Sequence, residues 1–296
     1  MQIETALLIQ GPLHQNTVLN VKANSCFAEI LVSTWPPTDE CQEEVMRQLK
    51  ALGVRLIVNE MGAEKTMRCP PIIAHQTLTT LRGLELVKSK RVIKSRSDEW
   101  YELSGLADLL AQNPTRIVFS NFIVRPWAYH PYHVSDHLYG GGTEVLVNAF
   151  RAISVTDKEE FIEHLGPTHV QVAESLIGWM LFRSQVKSSP QASQDLLDFG
   201  VRPQSTPVWR TFMNLFQLYD LQKIEGKFEC HARRAGVGPV TNLRTLVREH
   251  RQWGLVLDFV HYKHLRDLRP SSVRIVSAKK LMRYLWRRYL QIHRNP

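Results

Sequence analysis

The chain has 296 residues, 44% hydrophobic and 22% charged, enough for one large domain, or a domain with a smaller lobe, around a core that needs no covalent or metal staple. Its four cysteines, Cys26, Cys41, Cys69 and Cys230, form no C-x-x-C pair and have no histidine at zinc-finger spacing, which argues against a disulfide framework or a structural zinc site and fits a reducing, cytoplasmic setting. The net charge of +9 is uneven, with +13 on residues 201–296 and −4 on the first 200, so the C-terminal third is expected to face an anionic partner: phospholipid, nucleic acid or a phosphorylated substrate.

The opening MQIETALLIQGP has no basic leader and only a four-residue apolar run, so no signal peptide is expected. Nowhere is there an apolar run of the ~18 residues a spanning helix needs. TALLIQG predicts a first strand closed by Gly11-Pro12, and FAEILVSTW a second, ended by Pro36-Pro37. TDECQEEVMRQLKALG predicts a helix with Thr38 or Asp39 as cap, Lys50 late and Gly53 as stop. VRLIVNE is a third strand. PPIIAHQTLTTLRGLELVKSK is a long helix with proline at its start and lysines at its end. RVIKSR is a fourth strand, YELSGLADLLAQNP a short helix and TRIVFSNFIV a fifth strand.

Strands and helices alternating with such short connections predict right-handed crossovers and an α/β, Rossmann-like, mostly parallel sheet flanked by helices. In such sheets the ligand lies outside the carboxyl ends of the strands. Gln10-Gly11-Pro12, Ser33-Thr34-Trp35, Asn59-Glu60 and Arg96-Ser97-Asp98-Glu99 all fall at those ends. Neither a P-loop nor a G-x-G-x-x-G fingerprint occurs. Past residue 125 comes RPWAYHPYHVSDHLYGGGTEVL, a loop-rich stretch with three histidines and three consecutive glycines. Residues 157–184 read as helical, 187–206 as a linker and 276–296 as an amphipathic basic helix, the start of a helical, basic C-terminal region.

Several residues carry chemistry. Asp98, beside the crevice, suits a divalent cation held against a diphosphate; the plain alternative is a surface ion pair of Asp98 and Glu99 with Lys94 and Arg96. Asp98 and Glu99 are strand neighbours, so they reach one ligand only if the chain turns there. Asp136 between His133 and His137 suits proton transfer or metal ligation; the alternative is a hydrogen-bonded aromatic loop. The glycines are expected to expose backbone N–H groups to a ligand just before a helix starting near Thr143. Glu174 lies on an otherwise apolar helix, where a carboxylate tends toward the raised pKa of a general base, or simply faces solvent. In the last helix Leu281, Leu285, Tyr289 and Ile292 form a stripe flanked by Lys279, Lys280, Arg283, Arg287 and Arg288. It would lie in a headgroup layer or dock on its own core, and no nucleic-acid-binding signature accompanies it.

TALLIQGP, ILVSTW, HQTLTTLRGL, VIKSRSDEW and PYHVSDHLYGGGTE, in this order, resemble the WavE lipopolysaccharide synthesis family from about residue 5 to about residue 150, and faintly to about residue 270. The resemblance implies a GT-A-like glycosyltransferase of core or surface polysaccharide assembly. Arg96 stands where the usual Asp-x-Asp metal motif has its first aspartate, so only Asp98 carries over as metal ligand, with Mn2+ or Mg2+ as the implied cofactor. The implied assignment puts a nucleotide-diphosphate sugar on residues 1–155, against Gln10, Gly11, Pro12, Thr34, Gln76, Lys94, Arg96, His133 and His137. Asp136, with Glu174 as second candidate, is the implied base. Residues 156–296 form the acceptor side, reaching a lipid-linked or lipopolysaccharide-core saccharide at the inner face of the membrane. The rival reading is a non-catalytic, membrane- or nucleic-acid-associated binding protein on a transferase-like fold. A second enzyme reading uses an activated donor other than a sugar nucleotide.

Overall fold

The computed structural model describes residues 3–120, 132–165, 172–187, 212, 214–219 and 226–228; the basic helix expected at 276–296 lies outside them. In chain order the elements are β1 (Thr5–Gln10), α1 (Gln15–Ala23), β2 (Ile30–Thr34), α2 (Glu40–Ala51), β3 (Arg55–Val58), a 3-10 turn (Ala63–Thr66), α3 (Pro71–Leu84), β4 (Arg91–Arg96) and β5 (Glu99–Tyr101). There follow α4 (Ser104–Gln112), β6 (Ile117–Ser120), β7 (Leu138–Gly142), α5 (Thr143–Val155), α6 (Lys158–Leu165), α7 (Ala173–Lys187), β8 (Phe216–Tyr219) and β9 (Gly226–Phe228).

The apolar runs 6–9 of β1 and 30–32 of β2, and the Val92-Ile93 pair of β4, become strands buried on both faces, as expected for a covered parallel sheet. Alternate residues go to opposite layers. Ala6, Leu8, Val92, Phe119 and Tyr139 meet Ile73 of α3, Phe150 of α5 and Leu176 and Phe182 of α7. Leu7, Ile9, Val32, Ile93 and Leu138 meet Val18 and Val21 of α1, Val45 and Leu49 of α2, and Leu106 and Leu110 of α4. Each fully buried aliphatic side chain contributes roughly 1.5–3 kcal/mol. Phe161 of α6 and Trp179 of α7 share the first of these cores, so these two helices pack directly on the α/β layers.

The main sheet runs β3-β2-β1-β4-β7-β6-β8, with β5 and β9 forming a separate pair. Strands β1 to β4 are mutually parallel, and β6 pairs parallel with β8. The expected mostly parallel α/β sheet is thus present, with one exception. The glycine stretch, expected as an open loop, is the strand β7, antiparallel to both β4 and β6 in the middle of the sheet. Packing explains this. A Cβ on Gly140 would lie 2.7 Å from Leu110 Cδ1 and 3.0 Å from the Val92 carbonyl, and one on Gly141 3.0 Å from Leu146 Cδ1. The glycines let the helices on both sides close onto the strand. The helix expected near Thr143 is α5, starting at that residue.

Helix α1 is an addition to the elements expected from sequence. His14 and Thr17 cap it reciprocally: Asn16 N–H donates to His14 Nδ1 at 3.1 Å, and His14 N–H to Thr17 Oγ1 at 3.2 Å. No described helix is long and apolar enough to cross a membrane.

Candidate active site

The chain steps from β1 to β2 and β3 on one side, and α3 then returns it to β4 on the other side of β1. The carboxyl ends of β1 and β4 therefore flank a topological switch point, where parallel α/β sheets open a crevice. Gln10 is in register with both Ser33 and Arg96. Ser97 N–H donates to the Gln10 carbonyl at 3.0 Å and Gly11 N–H to Ser33 O at 3.1 Å. Asn59 Nδ2 reaches Ser33 Oγ at 3.0 Å and Thr34 O at 2.8 Å. The four strand ends singled out in the sequence thus adjoin one another. Gly11 has φ +130°, and a Cβ there would sit 2.5 Å from Ser97 Oγ, so glycine is required for this close approach.

The sequence problem at Asp98 and Glu99 is solved by a turn. β4 ends at Arg96 and β5 starts at Glu99. The turn is shaped from behind by a polar stripe on α1. Asn16 Nδ2 donates to Asp98 O at 2.9 Å, Thr17 Oγ1 to Ser97 O at 3.0 Å, and Asn20 Nδ2 to Ser95 Oγ at 2.8 Å and Glu99 O at 3.3 Å. Asn24 Nδ2 donates to Tyr101 O at 2.6 Å while its Oδ1 accepts from Leu103 N–H at 2.9 Å. All four side chains are buried, so these bonds satisfy groups that would otherwise be stranded away from water.

This turn assembles a charged cluster. The Arg96 fork donates to both Asp98 oxygens, at 2.9 and 2.8 Å. Its Nε lies 3.5 Å from Glu99 Oε1 and its Nη1 3.5 Å from Asp136 Oδ2. Arg96 and Asp98 are about a quarter exposed, at 26% and 25%, whereas Glu99 is fully enclosed. Burial pushes the Arg96 pKa down, but the Asp98 hydrogen bond and the Glu99, Asp136 and Asp98 charges outweigh it and hold it above the ordinary arginine value. Glu99 is further bound by His137 Nδ1 at 2.5 Å and by the Tyr101 hydroxyl. Burial, then the Glu99 charge and hydrogen bond, raise the Tyr101 phenol well above its usual pKa. His137 Nε2 lies 3.4 Å from Asp136 Oδ1, so the imidazole sits between two carboxylates.

Lys94 is fully buried; its ammonium donates to the Asp136 carbonyl and lies 5.2 Å from the centre of the Tyr139 ring. Burial lowers its pKa to about 8, with Asp136, Glu99 and Asp98 pulling it up and Arg96 pushing it down.

The structure therefore brings Lys94, Arg96, Asp98, Asp136 and His137 together, with Gln10, Gly11, Pro12 and Thr34 along the adjoining edge. Pro12 is exposed and Thr34 buried. His133 is buried in the same segment as Asp136. Glu174 is half-buried on the first turn of α7, and its carbonyl accepts from Val134 N–H at 3.5 Å. Gln76 lies on α3 with its Nε2 buried and unbonded, one residue after His75, whose ring meets Trp35 edge-on at 5.3 Å. Sequence reasoning did not mark Glu99 or Tyr101 as site residues, nor the α1 stripe. The spacing of Asn16, Asn20 and Asn24, one turn apart each, is the signal that marks that stripe.

A divalent cation is compatible with this donor set in one form. The Arg96 fork already binds both Asp98 oxygens, so a cation there would share the carboxylate with the guanidinium. Among the described residues no group of three or more His, Cys, Asp or Glu is arranged as a metal cage. Asp98 would be the protein's contribution to a cation that takes its other ligands from phosphate oxygens and water.

Fold and site together define an α/β protein with a charged cluster at its sheet's switch point. Neither a family model nor a curated protein matches the chain. Solved structures similar to it include glucosyl-3-phosphoglycerate synthase from Mycobacterium tuberculosis in complex with Mn2+, UDP-glucose and glycerol 3-phosphate, at 17% identity and TM-score 0.35, over 49% of this chain and 58% of that one. The same synthase with Mn2+, UDP and phosphoglyceric acid aligns at 14% identity and TM-score 0.38, over 71% and 78% of the two chains. S. aureus TarS residues 1–349 with UDP aligns at 11% identity and TM-score 0.35, over 62% and 55%.

Proposed function

We propose that this protein is a glycosyltransferase that moves a sugar from a nucleotide-diphosphate donor to a saccharide acceptor of the lipopolysaccharide-core or surface-polysaccharide type. The observation that carries this reading is Arg96 at the switch point, bracketed by Asp98, Glu99 and Asp136. An oriented guanidinium beside carboxylates suits a reaction in which a diphosphate departs and positive charge develops on a sugar ring. The nucleotide would lie along Gln10, Gly11, Pro12 and Thr34, with Gln76 on the neighbouring helix. Arg96 would receive the diphosphate, and Lys94 would back the site with charge from the interior. Mn2+ or Mg2+ on Asp98, when bound, would neutralise the leaving group. The acceptor oxygen bonds to the anomeric carbon as the bond from that carbon to the diphosphate oxygen breaks. The electron pair leaves with the diphosphate and the hydroxyl proton passes to Asp136, with Glu174 as the second candidate. His133 and His137 would flank that base. The basic residues 201–296 would bring the chain to an anionic membrane surface on the cytoplasmic side, where a lipid-linked acceptor is met.

The test is thermal unfolding with a panel of sugar nucleotides, with and without Mn2+, on wild type and on Asp98→Ala. A ligand that binds only the folded state raises the melting temperature. A donor-specific, metal-dependent rise that Asp98→Ala lacks is the expected result. A well-folded wild type that responds to no sugar nucleotide overturns the reading and favours a binding protein or a different donor.

A further inference from the structure

Asp136 sits in residues 132–137, which precede β7 without helix or strand. The segment is nevertheless tightly set. Tyr132 has φ 56°, a conformation that a bulky side chain adopts only when its surroundings enforce it. Its ring packs on Phe182 at 5.2 Å, and its carbonyl lies where a Cβ on Gly178 would be only 1.7 Å away. Val134 N–H is bound by the carbonyl of Glu174. Past Val134, the ammonium of Lys94 reaches up from the central strand β4 to the carbonyl of Asp136.

Position makes Lys94 unusual. Its register partners are Leu8 and Tyr139, and along its own strand face lies Val92. These three neighbours are apolar or aromatic, and Arg96 follows next along the same face, so a leucine or methionine would pack against Leu8, Tyr139 and Val92 as well as the lysine stem does. An ammonium enclosed there has lost its hydration and gained a carbonyl and a ring face in exchange, a poor return in stability alone. From full enclosure it cannot reach a substrate in the crevice. We infer that Lys94 is a positioning residue: it fixes the backbone of Asp136 so that the carboxylate faces Arg96 and His137 at the mouth of the site. The inference rests on the reading of Asp136 as the base, but its structural half stands independently of it.

The experiment uses the full chain with Lys94→Met, and Lys94→Gln, which keeps a neutral donor one atom shorter. Hydrogen exchange followed by mass spectrometry reads the structural half. Peptides over residues 132–138 are expected to exchange about tenfold faster or more in Lys94→Met, those over β1 about as in wild type, and Lys94→Gln in between. Turnover of the donor found in the melting panel reads the other half: kcat falls about 100-fold or more in Lys94→Met while the donor KM changes by less than about threefold. Unchanged exchange in 132–138 overturns the inference whether or not the wild type proves to be a transferase. So does a rise in donor KM with little loss of kcat, which would mean that Lys94 touches the donor itself. A transferase-inactive wild type with faster exchange in Lys94→Met removes the catalytic reading and leaves the strut.

Discussion

The buried Lys94 makes a thermodynamic prediction that its positioning role does not require. Its pKa is held at about 8 in the folded chain, against 10.5 in the unfolded one, chiefly by burial. At about 1.4 kcal/mol per pH interval the gap corresponds to about 3 kcal/mol. Below pH 8 both states carry the ammonium and the folded state bears its full desolvation. Between about 8 and 10.5 the folded state has released the proton while the unfolded state still holds it. The unfolded state then binds more protons, so stability must rise with pH across that window. Asp136, Glu99 and Asp98 act on the group by raising its pKa and Arg96 by lowering it. The phenols of Tyr101 and Tyr139 are raised well above their usual value, mainly by burial. Their contribution is fully present below pH 10 and is lost as the pH climbs toward their folded-state values, which sets the upper limit of the useful range. Urea unfolding at pH 7, 8, 9 and 10, on wild type and Lys94→Met, isolates the lysine by subtraction. At pH 7 the methionine variant is expected to equal or exceed wild type, because the relieved desolvation offsets the lost hydrogen bond of about 1.5–3 kcal/mol. The difference between the two should then move in favour of wild type by roughly 2–3 kcal/mol between pH 8 and 10. Parallel curves would show that the ammonium is not desolvated as the structure has it, and the reasoning would fail.

Asn20→Ala removes the donor shared by Ser95 Oγ and Glu99 O and strands both; we expect a loss of about 2–3 kcal/mol in urea unfolding, against within ~0.5 kcal/mol for alanine at the exposed Gln15 on the same helix. Gly140→Ala should cost about 1–3 kcal/mol through its contacts with Leu110 and the Val92 carbonyl, whereas Gly142→Ala, whose nearest neighbour would be Val145 Cγ2 at 3.7 Å, should be close to neutral. Equal melting temperatures for the two would disprove the packing account of β7. Arg96→Lys replaces a two-pronged fork by a point charge. Calorimetric titration with the donor should show affinity reduced about tenfold or more, and retained affinity would remove Arg96 from the diphosphate site.

The parts of the fold that sequence made legible are those where burial is apolar. β1 and β2 carry continuous hydrophobic runs because both faces are covered, and α2 carries its own start and stop signals in Asp39 and Gly53: the Asp39 carboxylate accepts from Gln42 N–H at 2.8 Å. Helix α1 escaped for the opposite reason. Its buried face includes Asn16, Thr17 and Asn20, so the 3.6-residue apolar period that marks a helix is interrupted on the side where it should be strongest. A period-based reading assumes that what is buried is apolar, and here the buried face is there to hydrogen-bond a neighbouring backbone. The glycines of β7 defeated a similar assumption. Glycine weakens an isolated strand, but between two closely packed layers the missing side chain is what allows the strand to be there.

The same logic separates the two halves of the site. The strand ends were legible because parallel connectivity alone sends them to one edge of the sheet. The pairing of Arg96 with Asp98 and Asp136 was not, because it depends on a turn whose shape is set by side chains some 75–82 residues earlier in the chain, on α1. Glu99 shows the consequence most directly. On a straight continuation of β4 it would alternate away from Arg96 and Asp98. With the turn held by Asn16, Thr17 and Asn20 it instead closes under the guanidinium, 3.5 Å from Nε, and from there reaches His137. One helix that carries no charged site residue thus decides which carboxylates face the crevice and which support it from within. A change at Asn20 should accordingly alter the site's chemistry as much as its stability.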